Sequence, residues 1–348
     1  MAGKTRVGVV GIGFMGKMHF GVYQANPKSE VVAIADVDEK KLAGDWSAIA
    51  GNIGDASAKH VDLAGIRKYP DALELVNDPG VDLVDITLPT HLHAQYAIAA
   101  LKAGKHVLCE KPISNRLADA KRMVAAAARA KGRFMVAQCI RFWPAYAWAK
   151  EHVVEKKEFG KVLSASFRRL SSTPLWSWTN WILDGAKSGA AAVDLHIHDA
   201  DYVRYLFGEP KAVWALGAVG AVSTGGGVDH LVAQYRYPSV RQVTAEGGWA
   251  MAKGFGFEMS FILVCQRATV VYNSAKSPAL AVHLNEGPTV VPPVAAGDGY
   301  SREIDYFLDC IREDRPPTVV TGAEALKSLA LVLAEVKSVR SGGKQLKV

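Results

Sequence analysis

Val7-Gly8-Val9-Val10-Gly11-Ile12-Gly13-Phe14-Met15-Gly16 is the stretch on which the reading of this chain turns. Val7 to Val10 is short, apolar and rich in β-branched residues, as expected of a strand buried on both faces of a parallel sheet. In the Gly-x-Gly-x-x-Gly run, Gly11 permits a tight turn, Gly13 lets the backbone approach a pyrophosphate, and Gly16 lets a helix pack closely on the strand. That helix offers unpaired N–H groups and the positive end of its dipole to phosphates. A second apolar run, Val31 to Ala35, ends at Asp36. This is the offset of about 20 residues expected for a carboxylate that accepts hydrogen bonds from the adenosine ribose. The next residues are Val37-Asp38-Glu39. With no Arg there to receive a 2′-phosphate, NAD is expected over NADP. Glycines at this spacing also serve plain turns; the strand before, the helix after and the acid at the second strand's end make the run a dinucleotide site.

The chain has 348 residues, long for one core and suited to two domains. Apolar residues make up 49% and charged residues 22%, as in an ordinary soluble globular protein. The net charge of +7 is scattered, and runs such as Lys156-Lys157 and Arg168-Arg169 are too short for a nucleic-acid surface. Cys109, Cys139, Cys265 and Cys310 lack metal-ligand spacing and read as reduced thiols. Residues 1–6 run straight into the first strand, so no signal peptide is expected. Ala325 to Val336 is interrupted by Lys327 and Glu335, and no apolar run is long enough for a bilayer. These features predict a cytoplasmic protein with neither a nucleic-acid nor a membrane partner.

Strand and helix patterns alternate through the first part of the chain. A helix is expected from about Glu39, and Gly51 to Gly65 reads as an insertion or mobile loop. Val81 to Thr87 is a strand; Pro89 opens a helix that stops at Gly104. His106 to Cys109 is a strand, Asn115 to Ala130 an Ala-rich helix, and Phe134 to Ala137 the last strand of a doubly wound parallel sheet. Beyond about residue 160 the pattern changes. Val162–Phe167, Val213–Leu216, Leu231–Tyr235, Gln242–Glu246, Phe257–Phe261 and Ala268–Tyr272 are strand-like, separated by Gly, Pro and Ser turns, and predict a mostly antiparallel sheet, which the family resemblance set out below makes large and open. Helices return at Ser301–Arg312 and Gly322–Arg340. The expected organisation is a dinucleotide-binding domain over 1–143 and an α+β domain over 144–348, to which the family resemblance set out below gives substrate binding and oligomerisation.

Three segments suggest chemistry. Glu110-Lys111-Pro112 follows a strand, and ligands of open α/β sheets bind beyond the carboxyl ends of strands. A Lys beside a nicotinamide can stabilise negative charge on a reacting oxygen; the plain alternative is a surface charge pair at a turn. Asp194 and His198 would lie one turn apart on a helix, where a carboxylate orients a general base. Alternatively Asp194 caps that helix and His198 is structural. His196, His198, Asp199 and Asp201 point to different helix faces and nicotinamide chemistry needs no metal, so no metal site is expected. In Gln138-Cys139-Ile140-Arg141-Phe142-Trp143-Pro144, at the end of the last parallel strand, Arg141 could bind substrate oxygens. Trp176, Trp178 and Trp181 form an aromatic group that suits a sugar pocket or simple packing.

Gly11-x-Gly13-x-x-Gly16, Pro89-Thr90-His91-Leu92-His93, Glu110-Lys111-Pro112, Arg141-Phe142-x-Pro144 and Asp194-x-x-x-His198 occur in the order found in the Gfo/Idh/MocA family, and nearly the whole chain resembles it. The resemblance implies a Rossmann domain followed by an α/β domain whose open sheet mediates dimer or tetramer contacts. It implies Lys111, Asp194 and His198 as the catalytic set, with His198 taking the hydroxyl proton of a secondary alcohol on a sugar or cyclitol. It places the Pro89–His93 and Glu110–Lys111 segments along the nicotinamide ribose. The expected cofactor contacts are therefore Gly11, Gly13, Phe14, Met15, Gly16, Asp36, Thr87, Pro89, His93, Glu110, Lys111 and Gln138. On the substrate side stand Arg141, Trp176, Trp181 and His196. Thr90 departs from the Asn of many relatives, and His196 stands where Gly is common and competes with His198 for the base role. Some relatives are NAD-dependent glycosidases that oxidise transiently, and others are non-catalytic sensors.

Overall fold

The computed structural model describes residues 3–51 and 59–348, so residues 52–58 of the insertion expected at 51–65 lie outside the described residues. The chain forms two compact units. One comprises 1–139 with 175–181 and 300–326; the other comprises 140–174 with 182–299 and 327–348.

The first unit runs β1 (Thr5–Val10), α1 (Phe14–Ala25), β2 (Ser29–Ala35), α2 (Glu39–Leu42), β3 (Arg67–Tyr69), α3 (Ala72–Asn77), β4 (Leu83–Ile86), α4 (His93–Lys102), β5 (His106–Glu110), α5 (Leu117–Ala127) and β6 (Phe134–Ala137). Its strands pair in the order β3-β2-β1-β4-β5-β6, all parallel. The order reverses between β1 and β4, which opens a ligand crevice beyond the carboxyl ends of these strands. Val7, Val9, Val10, Leu83, Val84, Val107 and Leu108 are buried, as expected of strands covered on both faces. β3 is not legible in the sequence: it is a three-residue edge strand, and Arg67 and Lys68 are exposed. α1 starts at Gly13 with no side-chain cap and no acid in its first turn, which leaves its end groups to a ligand.

The second unit runs α6 (Pro144–Ala149), β7 (Val162–Ser172), α7 (Gly185–Ser188), α8 (Ala190–Asp194), α9 (Ile197–Phe207), β8 (Ala212–Val219), β9 (Val228–Arg236), β10 (Gln242–Met251), β11 (Phe257–Cys265), β12 (Ala268–Asn273) and β13 (Leu280–Leu284). α10 (Gly299–Arg312) and the start of α11 (Gly322–Arg340) then return to the first unit, and the rest of α11 and β14 (Leu346–Lys347) belong to the second. The eight strands are ordered β13-β12-β11-β7-β10-β9-β8-β14, antiparallel throughout except for β7 beside β10. Both sheets match the fold class read from the sequence. On one face of the larger sheet Tyr146 packs edge-on to Tyr202 (4.8 Å) and Phe261 (4.9 Å), and the Tyr202 hydroxyl donates to the Tyr146 carbonyl at 2.6 Å.

Two buried ion pairs lock α9 into this unit. Arg169 Nε lies 2.8 Å from Asp199 Oδ2, and Arg141 binds Asp201 through Nε (2.8 Å) and Nη2 (2.7 Å). Asp201 also accepts from the Ser328 hydroxyl at 2.6 Å. Removing one partner of such a pair leaves the other charge buried and uncompensated. Arg141→Ala is therefore expected to cost about 3–5 kcal/mol in a denaturant melt; a loss of under about 1 kcal/mol, the level of an exposed pair, would contradict it.

Candidate active site

At the carboxyl edge of the first sheet the glycine turn is held by its neighbours. Gly11 has φ +92°, and a Cβ at residue 16 would lie 2.1 Å from the Gly11 carbonyl oxygen. A Cβ at residue 13 would meet nothing within 4 Å, so space is open over that backbone, as an approaching pyrophosphate requires. The Thr87 hydroxyl, just past β4, donates to the Gly11 carbonyl at 2.7 Å. Asp36, just past β2, accepts from the Ile12 N–H at 2.7 Å and the Asp38 N–H at 2.9 Å. Lys41 Nζ stands 3.3 Å from Asp36, a neighbour the sequence reading did not single out. The carboxylate keeps acceptor capacity for ribose hydroxyls.

The Pro89–His93 segment turns into α4, and both nitrogens of buried His93 face backbone. Nε2 is 2.8 Å from the Leu88 carbonyl and Nδ1 2.9 Å from that of Pro112. Burial pushes this imidazole toward its neutral form, which donates one of these bonds at a time. Glu110 ends β5; its Oε2 accepts from the Lys111 N–H at 3.0 Å, and its Oε1 lies 3.1 Å from His19 Nε2. His19 Nδ1 lies 2.8 Å from Asp85 Oδ2. His19 and Asp85 were missed in the sequence, although a charge inside the apolar strand Leu83–Ile86 was the available signal. Lys111 is half-buried. Gln138, just past β6, is 1% exposed, and neither of its amide atoms finds a hydrogen-bond partner among the described residues. Trp176 packs edge-on to Phe14 at 5.3 Å, and Trp181 lies 6.5 Å from His91. Residues 175–181 thus belong with the glycine-turn side of this unit, while Trp178 is exposed. Met15 and Pro89 flank these groups in the chain, at the start of α1 and before α4.

In the second unit, Asp194 ends α8 and His198 is the second residue of α9, so the single helix expected from the sequence is interrupted at Leu195–His196. The cause is one carbonyl serving two donors: Ala191 O accepts from Leu195 N (2.9 Å) and His196 N (2.8 Å). Asp194 and His198 are half-buried, whereas Ile197, Asp199, Ala200 and Asp201 are buried. His196 is fully buried, with Nε2 at 2.9 Å from Glu335 Oε2. Arg141, sought as a substrate contact, is buried against Asp201, with its guanidinium also over the Tyr205 ring at 4.6 Å.

This combination of a glycine-turn dinucleotide cradle and a polar α/β partner domain defines a nicotinamide-dependent oxidoreductase. Residues 5–138 match the model of an oxidoreductase family with an NAD-binding Rossmann fold, and residues 147–271 match the Gfo/Idh/MocA C-terminal domain. The chain belongs to the Gfo/Idh/MocA family and is an NAD-binding dehydrogenase. It is 30% identical over 330 residues to myo-inositol 2-dehydrogenase of Thermotoga maritima, covering 93% of this chain and 88% of that protein. It is 35% identical over 218 residues to levoglucosan dehydrogenase of Pseudarthrobacter phenanthrenivorans, covering 60% of this chain and 53% of that protein. A levoglucosan dehydrogenase structure holding NADH and levoglucosan superposes with a TM-score of 0.82 at 26% identity, covering 99% of each chain.

Asp36→Ala removes the ribose acceptor and releases Lys41 to meet a 2′-phosphate. By calorimetry the preference for NAD over NADP is expected to fall about tenfold or more, the worth of a hydrogen bond to a charged group; an unchanged ratio would show that Asp36 does not select.

Proposed function

We propose that the protein oxidises a secondary hydroxyl of a sugar, a sugar derivative or a cyclitol with NAD. The observation that carries this reading is the exposure pattern of residues 194–201. Within a buried stretch Asp194 and His198 alone of its ionisable side chains keep partial access to solvent, while His196, Asp199 and Asp201 are committed to internal partners. Relatives named for inositols and levoglucosan support the substrate class.

Bound NAD supplies the hydride acceptor. His198 takes the hydroxyl proton as general base, and Asp194 orients it or holds a neighbouring hydroxyl. Lys111 steadies the oxygen as negative charge grows on it. The unsatisfied amide of Gln138 suits the nicotinamide carboxamide. Trp176 and Trp181 offer ring faces to the apolar faces of a sugar. Arg141 and His196, given their buried partners, shape the substrate side from behind.

The reading also places a second copy of the chain on the larger sheet. Leu216, Val232 and Ile262 are 65%, 42% and 43% exposed on its outward face, and Leu216 is the direct cross-strand neighbour of Val232. Among the described residues no helix is long and apolar enough to cross a membrane, and all four cysteines are buried thiols outside any disulfide, which suits the cytoplasm.

The test is NADH formation by purified protein with NAD and a panel of sugars, inositols and sugar acids. NADH with one polyol supports the reading; NAD binding without NADH from any of them points to transient oxidation in a glycosidase or to a sensor. His198→Ala is expected to lower kcat by about 10²–10⁴ with NAD affinity unchanged, and near-normal kcat would remove the base assignment. Leu216→Glu is expected to reduce the light-scattering mass to that of a single chain. A wild-type mass already equal to one chain would refute the interface.

A further inference from the structure

We propose that the buried row Asp85–His19–Glu110 positions the backbone that carries Lys111, which makes His19 a positioning residue for a reaction it does not touch. The proposal rests on the reading of Lys111 given above.

Three elements of the first unit converge to form the row. α1 supplies His19, three residues beyond Gly16 of the cofactor turn; β4 supplies Asp85; β5 supplies Glu110 as its last residue. The contacts are 2.8 Å from Asp85 Oδ2 to His19 Nδ1 and 3.1 Å from His19 Nε2 to Glu110 Oε1. The side chains of His19 and Asp85 are fully buried, and that of Glu110 is 7% exposed. Glu110 divides its oxygens: Oε1 faces His19 and Oε2 accepts from the Lys111 N–H at 3.0 Å. From the other side His93 faces the Pro112 carbonyl at 2.9 Å. The two residues that follow β5 are thus held at the N–H of one and the C=O of the other.

Also beside the row, among the described residues, are Glu303 and the Tyr300 ring of α10, the ring 6.5 Å from that of His19, and Tyr23, which interacts with Asp85. Burial by itself would push the imidazole down, but the charges and hydrogen bonds of Asp85 and Glu110 outweigh it and hold its pKa well above the ordinary value. The imidazole is thereby held more readily protonated than a free one. Its contribution to stability is complete below about pH 6.5 and is lost only as pH rises through the raised folded value. Buried ion rows are poor stabilisers compared with apolar side chains of similar volume. Their use here is directional: His19, hydrogen-bonded to Asp85 and 3.1 Å from Glu110 Oε1, fixes where Glu110 points, and Glu110 fixes the peptide N–H of Lys111.

The test is a double-mutant cycle on the full-length enzyme with NAD and the polyol that the panel identifies. His19→Gln is expected to lower kcat by about tenfold or more, since displacements of about 1 Å can cost 10²-fold, while NAD affinity and KM stay within about threefold. In a Lys111→Ala background the same substitution should change kcat by less than about twofold, because the row acts through Lys111. An equal loss in both backgrounds, or unchanged kcat in His19→Gln, overturns the proposal. Unchanged kcat in Lys111→Ala alone would overturn the reading of Lys111 and the proposal with it, a different and recognisable result. Should His19→Gln fail to fold, Glu110→Gln replaces it. An amide must turn an N–H toward one of two donors, His19 or the Lys111 peptide, so one link breaks. The same loss and the same non-additivity are expected, and wild-type kcat would overturn the proposal.

Discussion

No side chain fits at residue 16, because a Cβ there would lie 2.1 Å from the Gly11 carbonyl oxygen. The close approach of α1 to the turn after β1 organises the first unit. The same carbonyl is met by the Thr87 hydroxyl from the end of β4, and the next N–H, that of Ile12, is held by Asp36 from the end of β2. Three strand ends are tied to one turn by the protein's own hydrogen bonds. The groups left over are the uncapped start of α1 and the open backbone face at Gly13, the two features an anionic pyrophosphate needs. The cradle is pre-organised, so binding need not order it first.

In the second unit burial sorts polar residues that look alike in the sequence. Asp194, His196, His198, Asp199 and Asp201 form one acidic and imidazole-rich run. Asp199 and Asp201 are neutralised by Arg169 and Arg141, and His196 faces Glu335 from α11. A buried charge survives only when paired and hydrogen-bonded. Those three residues therefore build the wall, while Asp194 and His198 stay half-buried. The irregular turn at Leu195–His196 separates the two kinds: it breaks the helical phase, so the elements before and after it turn different faces to the core.

Both sheets were legible in the sequence because they rest on local signals: apolar β-branched runs, glycine turns and Ala-rich helices. The Asp36 and Glu110 ends of strands were legible for the same reason. The apolar run of β13, Leu280–Leu284, was passed over, and the rest of what escaped was non-local or polar. β3 has no apolar run because it is an edge of three residues with Arg67 and Lys68 exposed. The assignment of 175–181 and 300–326 to the first unit depends on long-range packing, such as Trp176 on Phe14 and Lys28 with Asp305 and Asp309 (2.8 and 2.7 Å), that no periodicity records. The helix break between Asp194 and His198 follows from one carbonyl accepting twice, which the spacing of two residues cannot reveal. Arg141 shows the limit of residue type as a guide: a guanidinium suits substrate oxygens and a buried carboxylate equally well, and only its surroundings decide.

The two parts of the first unit's site are held by different forces. The dinucleotide cradle relies on backbone geometry and short hydrogen bonds at Gly11 and Ile12, from the Thr87 hydroxyl and to the Asp36 carboxylate. The turn that bears Lys111 relies on a buried imidazole between two acidic side chains, where low dielectric strengthens every contact and penalises every missing partner. His19 joins the two, because it rides on the same helix that Gly16 seats against the cradle. A shift of α1 would therefore reach the turn that carries Lys111 through two short contacts, His19 to Glu110 and Glu110 to the Lys111 N–H. Seating of α1 at the glycine turn and placement of the lysine are in this way one mechanical problem, and the rigidity of the glycine turn serves both.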